Sequence, residues 1–148
     1  MGTSLSYNTV NCDSDKLRRD AMTFILSLAE RREWWAETMI LFQVDEAPHQ
    51  IYGDTKLFCI GIDDDAADCF MAMKDAEFIL EVLELSSKQF GLNWEILLAS
   101  SPAGGVVAGE RNAEAVGLLE IFEQIAEAEV VDFSRYERQA LLERYKDR

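Results

Sequence analysis

The stretch Lys56-Leu-Phe-Cys-Ile-Gly-Ile-Asp-Asp-Asp-Ala-Ala-Asp68 decides how this chain folds. Its first seven residues form an apolar run too short for an independent helix and rich in branched and aromatic side chains, which predicts a buried strand over 56–62. The run stops at Asp63, Asp64, Asp65 and Asp68, where carboxylates can accept from the free N–H groups of a helix N-terminus and sit at the positive end of its dipole. A helix is expected from there to Phe90, closed by Gly91, with a returning strand over Leu92 to Ala99.

That helix carries two apolar faces. At about 100° per residue, Cys69, Ala72, Met73, Ala76, Ile79, Leu80, Leu83 and Phe90 share a broad face suited to a sheet. Met71, Phe78, Val82 and Leu85 form a second stripe, and Lys74, Glu77, Glu81, Glu84 and Lys88 are left for water. The second stripe needs cover from the C-terminal helices of this chain, the first expectation, or from another protein or a second copy.

The rest of the chain can be placed around this unit. Residues 3–11 alternate loosely, with Leu5, Tyr7 and Thr9 on one side, and make an edge strand or nothing regular. Asp13 or Asp15 is expected to cap an amphipathic helix bearing Leu17, Ala21, Phe24, Ile25 and Leu28 on one face. Trp34 and Trp35 follow in a connection, as a core plug and a partly buried lid or as the wall of a binding pocket. A second apolar strand is expected over Thr38 to Val44, then a polar link over Asp45 to Thr55 with a Gly53-Asp54 turn, so that this strand pairs antiparallel with the one at Lys56. Beyond the central unit, Ser100 to Gly105 reads as a turn, Val106 to Ala108 as a short strand, and Asn112 as the cap of a helix with Ala115, Leu118, Ile121, Phe122 and Ile125 inward. Ser134 and Glu137 have the spacing of a capping box for a last helix.

The order β, α, β, β, α, β predicts an α+β fold, a mainly antiparallel sheet of three to five strands with helices on one face. It is ferredoxin-like in order, with C-terminal helices added. Against that order stands the polar first strand, which such a fold would place at the centre of its sheet. One domain is expected over 1–148, with 1–12 as the candidate edge strand and 112–148 as a C-terminal helical extension.

Composition narrows the function classes. The chain has 148 residues, is 49% hydrophobic and carries a net charge of −14. Residues 1–35 are balanced, with five Lys/Arg against five Asp/Glu; residues 36–133 hold four against twenty. Such a surface repels phosphate backbones and anionic lipid, so neither nucleic acid nor membrane is an expected partner, and a basic protein would be steered toward it. No run of apolar residues reaches transmembrane length and no secretory signal opens the chain, so a cytoplasmic location is expected. Cys12, Cys59 and Cys69 are odd in number and lack paired spacing, consistent with reduced thiols.

Residues with chemistry to offer are few. Asp63, Asp65 and Asp68 are weak metal candidates, because clustered carboxylates suit a hard cation; helix capping explains them as well. The letters D-D-x-x-D over 64–68 resemble the Mg²⁺ motif of prenyl-diphosphate enzymes, which are larger all-helical proteins unlike this strand-bearing chain. His49, the single histidine, is expected in a Pro-containing, solvent-exposed loop without a local nucleophile. Gly104 to Gly109 lacks the spacing of a phosphate cradle. The favoured expectation is a non-enzymatic interaction module without cofactor, of inhibitor or immunity type, using its acidic surface or Met71, Phe78, Val82, Leu85, Trp34 and Trp35 on a protein partner or in self-association. The alternatives are a small metal-dependent hydrolase and a small-molecule binder.

Overall fold

The computed structural model describes residues 2–35, 37–59, 66–118 and 120; the side chains at 2–3, 58–59 and 66–72 are not among them. The elements are β1 (Gly2–Thr9), α1 (Asp15–Glu30), β2 (Ile40–Val44), β3 (Ala47–Cys59), α2 (Ala66–Phe90), β4 (Trp94–Leu98), β5 (Ser101–Val107) and β6 (Glu110–Arg111). A further helix starts at 113, where Asn112 Oδ1 accepts from the Ala115 N–H at 3.0 Å, as expected of a cap. Among the described residues six strands form one antiparallel sheet in the order β2-β3-β1-β4-β5-β6, one more than the widest expectation.

The largest correction concerns β1. It is an interior strand, paired with β3 on one side and β4 on the other. Its composition misleads because only alternate residues enter the core: Leu5, Tyr7 and Thr9 are buried, while Ser4, Ser6 and Asn8 point to the opposite face. Thr9 is tolerated inside because its hydroxyl donates to Gln50 Oε1 at 2.6 Å and accepts from the Ile51 N–H at 2.9 Å.

The expected link over Asp45 to Thr55 is mostly strand. The chain reverses at Asp45-Glu46, with Val44 opposite Ala47, and β3 runs on past Gly53. Gly53 is opposite Tyr7, and a Cβ there would lie 2.0 Å from the Tyr7 ring. This glycine admits an aromatic ring against the backbone; it does not turn the chain. The expected turn over Ser100 to Gly105 shrinks likewise to Ala99-Ser100, both at positive φ (50° and 69°), and β5 starts at Ser101. Two successive left-handed residues are what a two-residue hairpin requires.

α1 begins one residue away from either expected cap. Ser14 Oγ accepts from the Leu17 N–H at 3.1 Å, and Asp15 occupies the first turn. α2 ends at Phe90 with Gly91 at φ 68°, as expected. The expected strand end at Ile62 falls outside the described residues, the described strand closing at Cys59. Ala21, Ile25 and Ala29 of α1 and Ala76, Ile79, Leu80 and Leu83 of α2 pack with Leu5, Tyr7, Ile51, Leu57, Trp94 and Ile96 in one core. The fully buried leucines and isoleucines among them contribute roughly 1.5–3 kcal/mol each. Trp94 meets Tyr7 edge-on at 6.3 Å and donates from Nε1 to Ser86 Oγ at 3.0 Å.

Candidate functional site

The residues singled out in the sequence divide between the interior, the surface and the undescribed segments. Val82 is buried, and Phe78 meets Trp34 edge-on at 5.3 Å. The Arg32 guanidinium lies over both rings, 5.4 Å from Trp34 and 5.0 Å from Phe78. Arg32 donates from Nη2 and Nε to Asp75 Oδ1 at 2.7 and 3.1 Å, and the Trp35 N–H donates to Asp75 Oδ2 at 3.1 Å. Asp75 on α2 is fully buried and ties down the connection that follows α1. Residues 32–34 therefore cover part of Phe78; most of the C-terminal helices expected to cover this stripe lie outside the described residues. Leu85 is 47% exposed.

Asp63 and Asp65 lie outside the described residues; Asp68 falls within α2, its side chain undescribed. Ile121, Phe122 and Ile125 and the expected last helix at Ser134 also lie outside them. Among the described residues, no group of three His, Cys, Asp or Glu side chains could hold a metal, and no helix is long and apolar enough to cross a membrane. Cys12 is buried with a free thiol, its pKa pushed up by burial. His49 lies in β3 and not in the expected loop, exposed as expected, with Nδ1 3.0 Å from Asp15 Oδ1; Asp15 also accepts from Arg18 Nη1 at 2.8 Å. The His49 contact first, and the Arg18 charge after it, hold the Asp15 carboxyl below its ordinary value.

The more informative place is the side of the sheet away from α1 and α2. Ser4, Ser6 and Asn8 of β1 project there between larger neighbours: Phe42 and Tyr52 from β2 and β3, and Leu97 from β4. Short side chains on the middle strand and long ones beside it leave a hollow of about 470 Å³, lined by those residues together with Asp54 and Ser100. The Phe42 and Tyr52 rings stack at 6.1 Å with 27° between their planes, as their direct cross-strand pairing allows. Phe42 and Ile40 stay 43% and 52% exposed. Asp54 Oδ1 accepts from Ser6 Oγ at 3.0 Å, and the carboxylate has further acceptor positions for a cation.

A second hollow of about 360 Å³ lies between Leu98, Pro102, Ala103, Glu114 and Leu118. The open-face hollow escaped the sequence reading because its lining comes from residues near 5, 42, 53 and 97. The small polar residues at 4, 6 and 8 were its one local signal. No family model, no curated protein and no solved structure matches the chain.

Proposed function

We propose that this protein is a non-enzymatic interaction module that binds a basic protein partner on the open face of its sheet. The observation that carries the reading is the hollow between the Phe42–Tyr52 pair and Leu97, with Asp54 in its lining and exposed apolar area at Ile40 and Phe42. An arginine or lysine of a partner fits it in both parts: its aliphatic stem lies on the aromatic pair while its head reaches Asp54. The net charge of −14 would steer such a partner at long range. Inhibition of a basic enzyme, in the manner of an immunity protein, is the biological form we favour. In fold we read β1 to β4 with α1 and α2 as a ferredoxin-like layer extended by β5 and β6; the β2-β3-β1-β4 sequence of neighbours supports this.

The test is affinity capture from the native cell with wild type, Phe42→Asp and Asp54→Lys in parallel. The reading expects a basic protein that wild type retains and both variants lose, with an association rate that falls as salt rises to physiological strength. An acidic partner, a rate indifferent to salt, or equal retention by both variants would refute it.

A further inference from the structure

The two edges of the sheet are unequal. β6 is two residues long, and a very short edge strand is one way in which proteins prevent edge-to-edge pairing. β2, at the other edge, is five residues long, Ile-Leu-Phe-Gln-Val, without a charge or a proline. Among the described residues no strand lies on its outer side. A strand so placed leaves alternate backbone N–H and C=O groups available for pairing.

Its charge surroundings select the occupant. The run from Glu37 to Glu46 is neutral in the middle and acidic at both ends, and Glu37, Asp45 and Glu46 are all exposed. Residues 37–59 hold four acidic residues and one Lys or Arg, Lys56. A second copy fits poorly. Antiparallel pairing centred on Phe42 would set Glu37 of each copy beside Glu46 of the other. It would also bring two register irregularities, one after Phe42 in each copy, into a single seam. A strand with cations at its ends meets neither obstacle.

Resting on the proposed binding of a basic protein, we infer that the outer edge of β2 accepts an extended segment of that partner as a seventh strand. The segment is apolar at alternate positions, so that one row of its side chains joins Ile40 and Phe42 on the open face, and it carries Lys or Arg at its ends.

The probe is a synthetic peptide of alternating valine and threonine with paired lysines at both ends, added to the full chain at physiological salt. Amide exchange at residues 40–44 should slow at least tenfold. Methylating alternate backbone nitrogens of the peptide, with its side chains kept, should weaken binding at least tenfold; so should replacing its lysines by glutamates. Ile40→Lys, at an exposed position where the fold should be kept, should lose the peptide while melting like wild type. Unchanged exchange at millimolar peptide, or equal binding of the methylated peptide, overturns the inference. A wild-type dimer abolished by Ile40→Lys would identify a second copy as the occupant and overturn it too. A native partner lost from Phe42→Asp that leaves β2 exchange unchanged would defeat the seventh strand and leave the open-face reading standing.

Discussion

The two faces of β1 and β3 obey opposite rules although they share the same backbone. Toward the helices, Leu5, Tyr7, Ile51 and Leu57 are at most 1% exposed, and the backbone at Gly53 gives way to a ring. On the other side, Ser4, Ser6, Asn8, Tyr52 and Asp54 are only partly covered. A strand's period of two lets one residue be chosen for packing and the next for recognition, with little interference between them. The first face should therefore carry stability and the second binding.

Tyr7→Ala is the hardest test of that division. It removes a buried ring in contact with Trp94 and the hydroxyl 2.8 Å from Thr55 Oγ1, and should cost about 3–5 kcal/mol in chemical denaturation. Ser6→Ala, one residue away, should cost less than about 1 kcal/mol, the net worth of its bond to Asp54. Similar costs at both positions would end the comparison.

How much of this was legible beforehand follows from the same geometry. α2 and β4 could be read because every turn or alternate position repeats one character: Trp94 and Ile96 are buried and Glu95 is exposed, as their alternation implied. β1 was undervalued because its outer residues serve the open face, and averaging serines with Leu5 and Tyr7 hides a core strand. Glycine misled at 53, where it allows close approach; of the three hairpin reversals among the described residues, Asp45-Glu46 and Ala99-Ser100 contain none and only Ala108-Gly109 has one. Ser14 outranked two aspartates as cap because its short hydroxyl reaches the Leu17 N–H. The hollow could not be read locally, since it exists only once four distant segments pair.

The helix layer has its own buried polar anchor, and its loss should come next in size. Asp75→Ala would leave Arg32, whose side chain is 12% exposed, without its carboxylate, and remove the acceptor that Asp75 offers the Trp35 N–H. Removing one partner of a buried ion pair costs on the order of 3 kcal/mol. Leu85→Ala on the same helix, at an exposed position, should stay within about 0.5 kcal/mol. Equal melting temperatures for the two variants would show that Asp75 does not hold the connection in place.

Alkaline pH should act on the packed face through Tyr7. Burial holds its phenol well above the ordinary tyrosine value, against the lowering effect of the Thr55 bond, so it stays neutral when folded. The unfolded chain ionises near about pH 10. Above that pH the unfolded state binds fewer protons, so stability is fully present below it and declines as pH rises toward the folded value. Tyr7→Phe should be less stable at neutral pH by about 1 kcal/mol, for the lost hydroxyl contact, yet fall less steeply between pH 10 and 11. Parallel curves for the two proteins would show that Tyr7 ionises in the folded state.

The smallest effect on stability is expected at Phe42, where the open face should matter most for binding. Its ring is 43% exposed and stacks on Tyr52 across an edge strand, so truncation leaves no closed cavity. An aromatic pair contributes about 0.5–1.5 kcal/mol beyond burial. Solvent on this one should hold Phe42→Ser to a loss near the lower figure. Binding has no such margin. A side chain that forms one wall of the hollow and also belongs to the edge strand β2 is where a partner would be anchored, and truncating an aromatic anchor commonly costs 2 kcal/mol or more of affinity, roughly thirtyfold. The informative quantity is the ratio of the two losses, read from denaturation and from the dissociation constant of the captured partner. A large stability loss with unchanged affinity would invert the roles of the faces and place recognition elsewhere on the molecule.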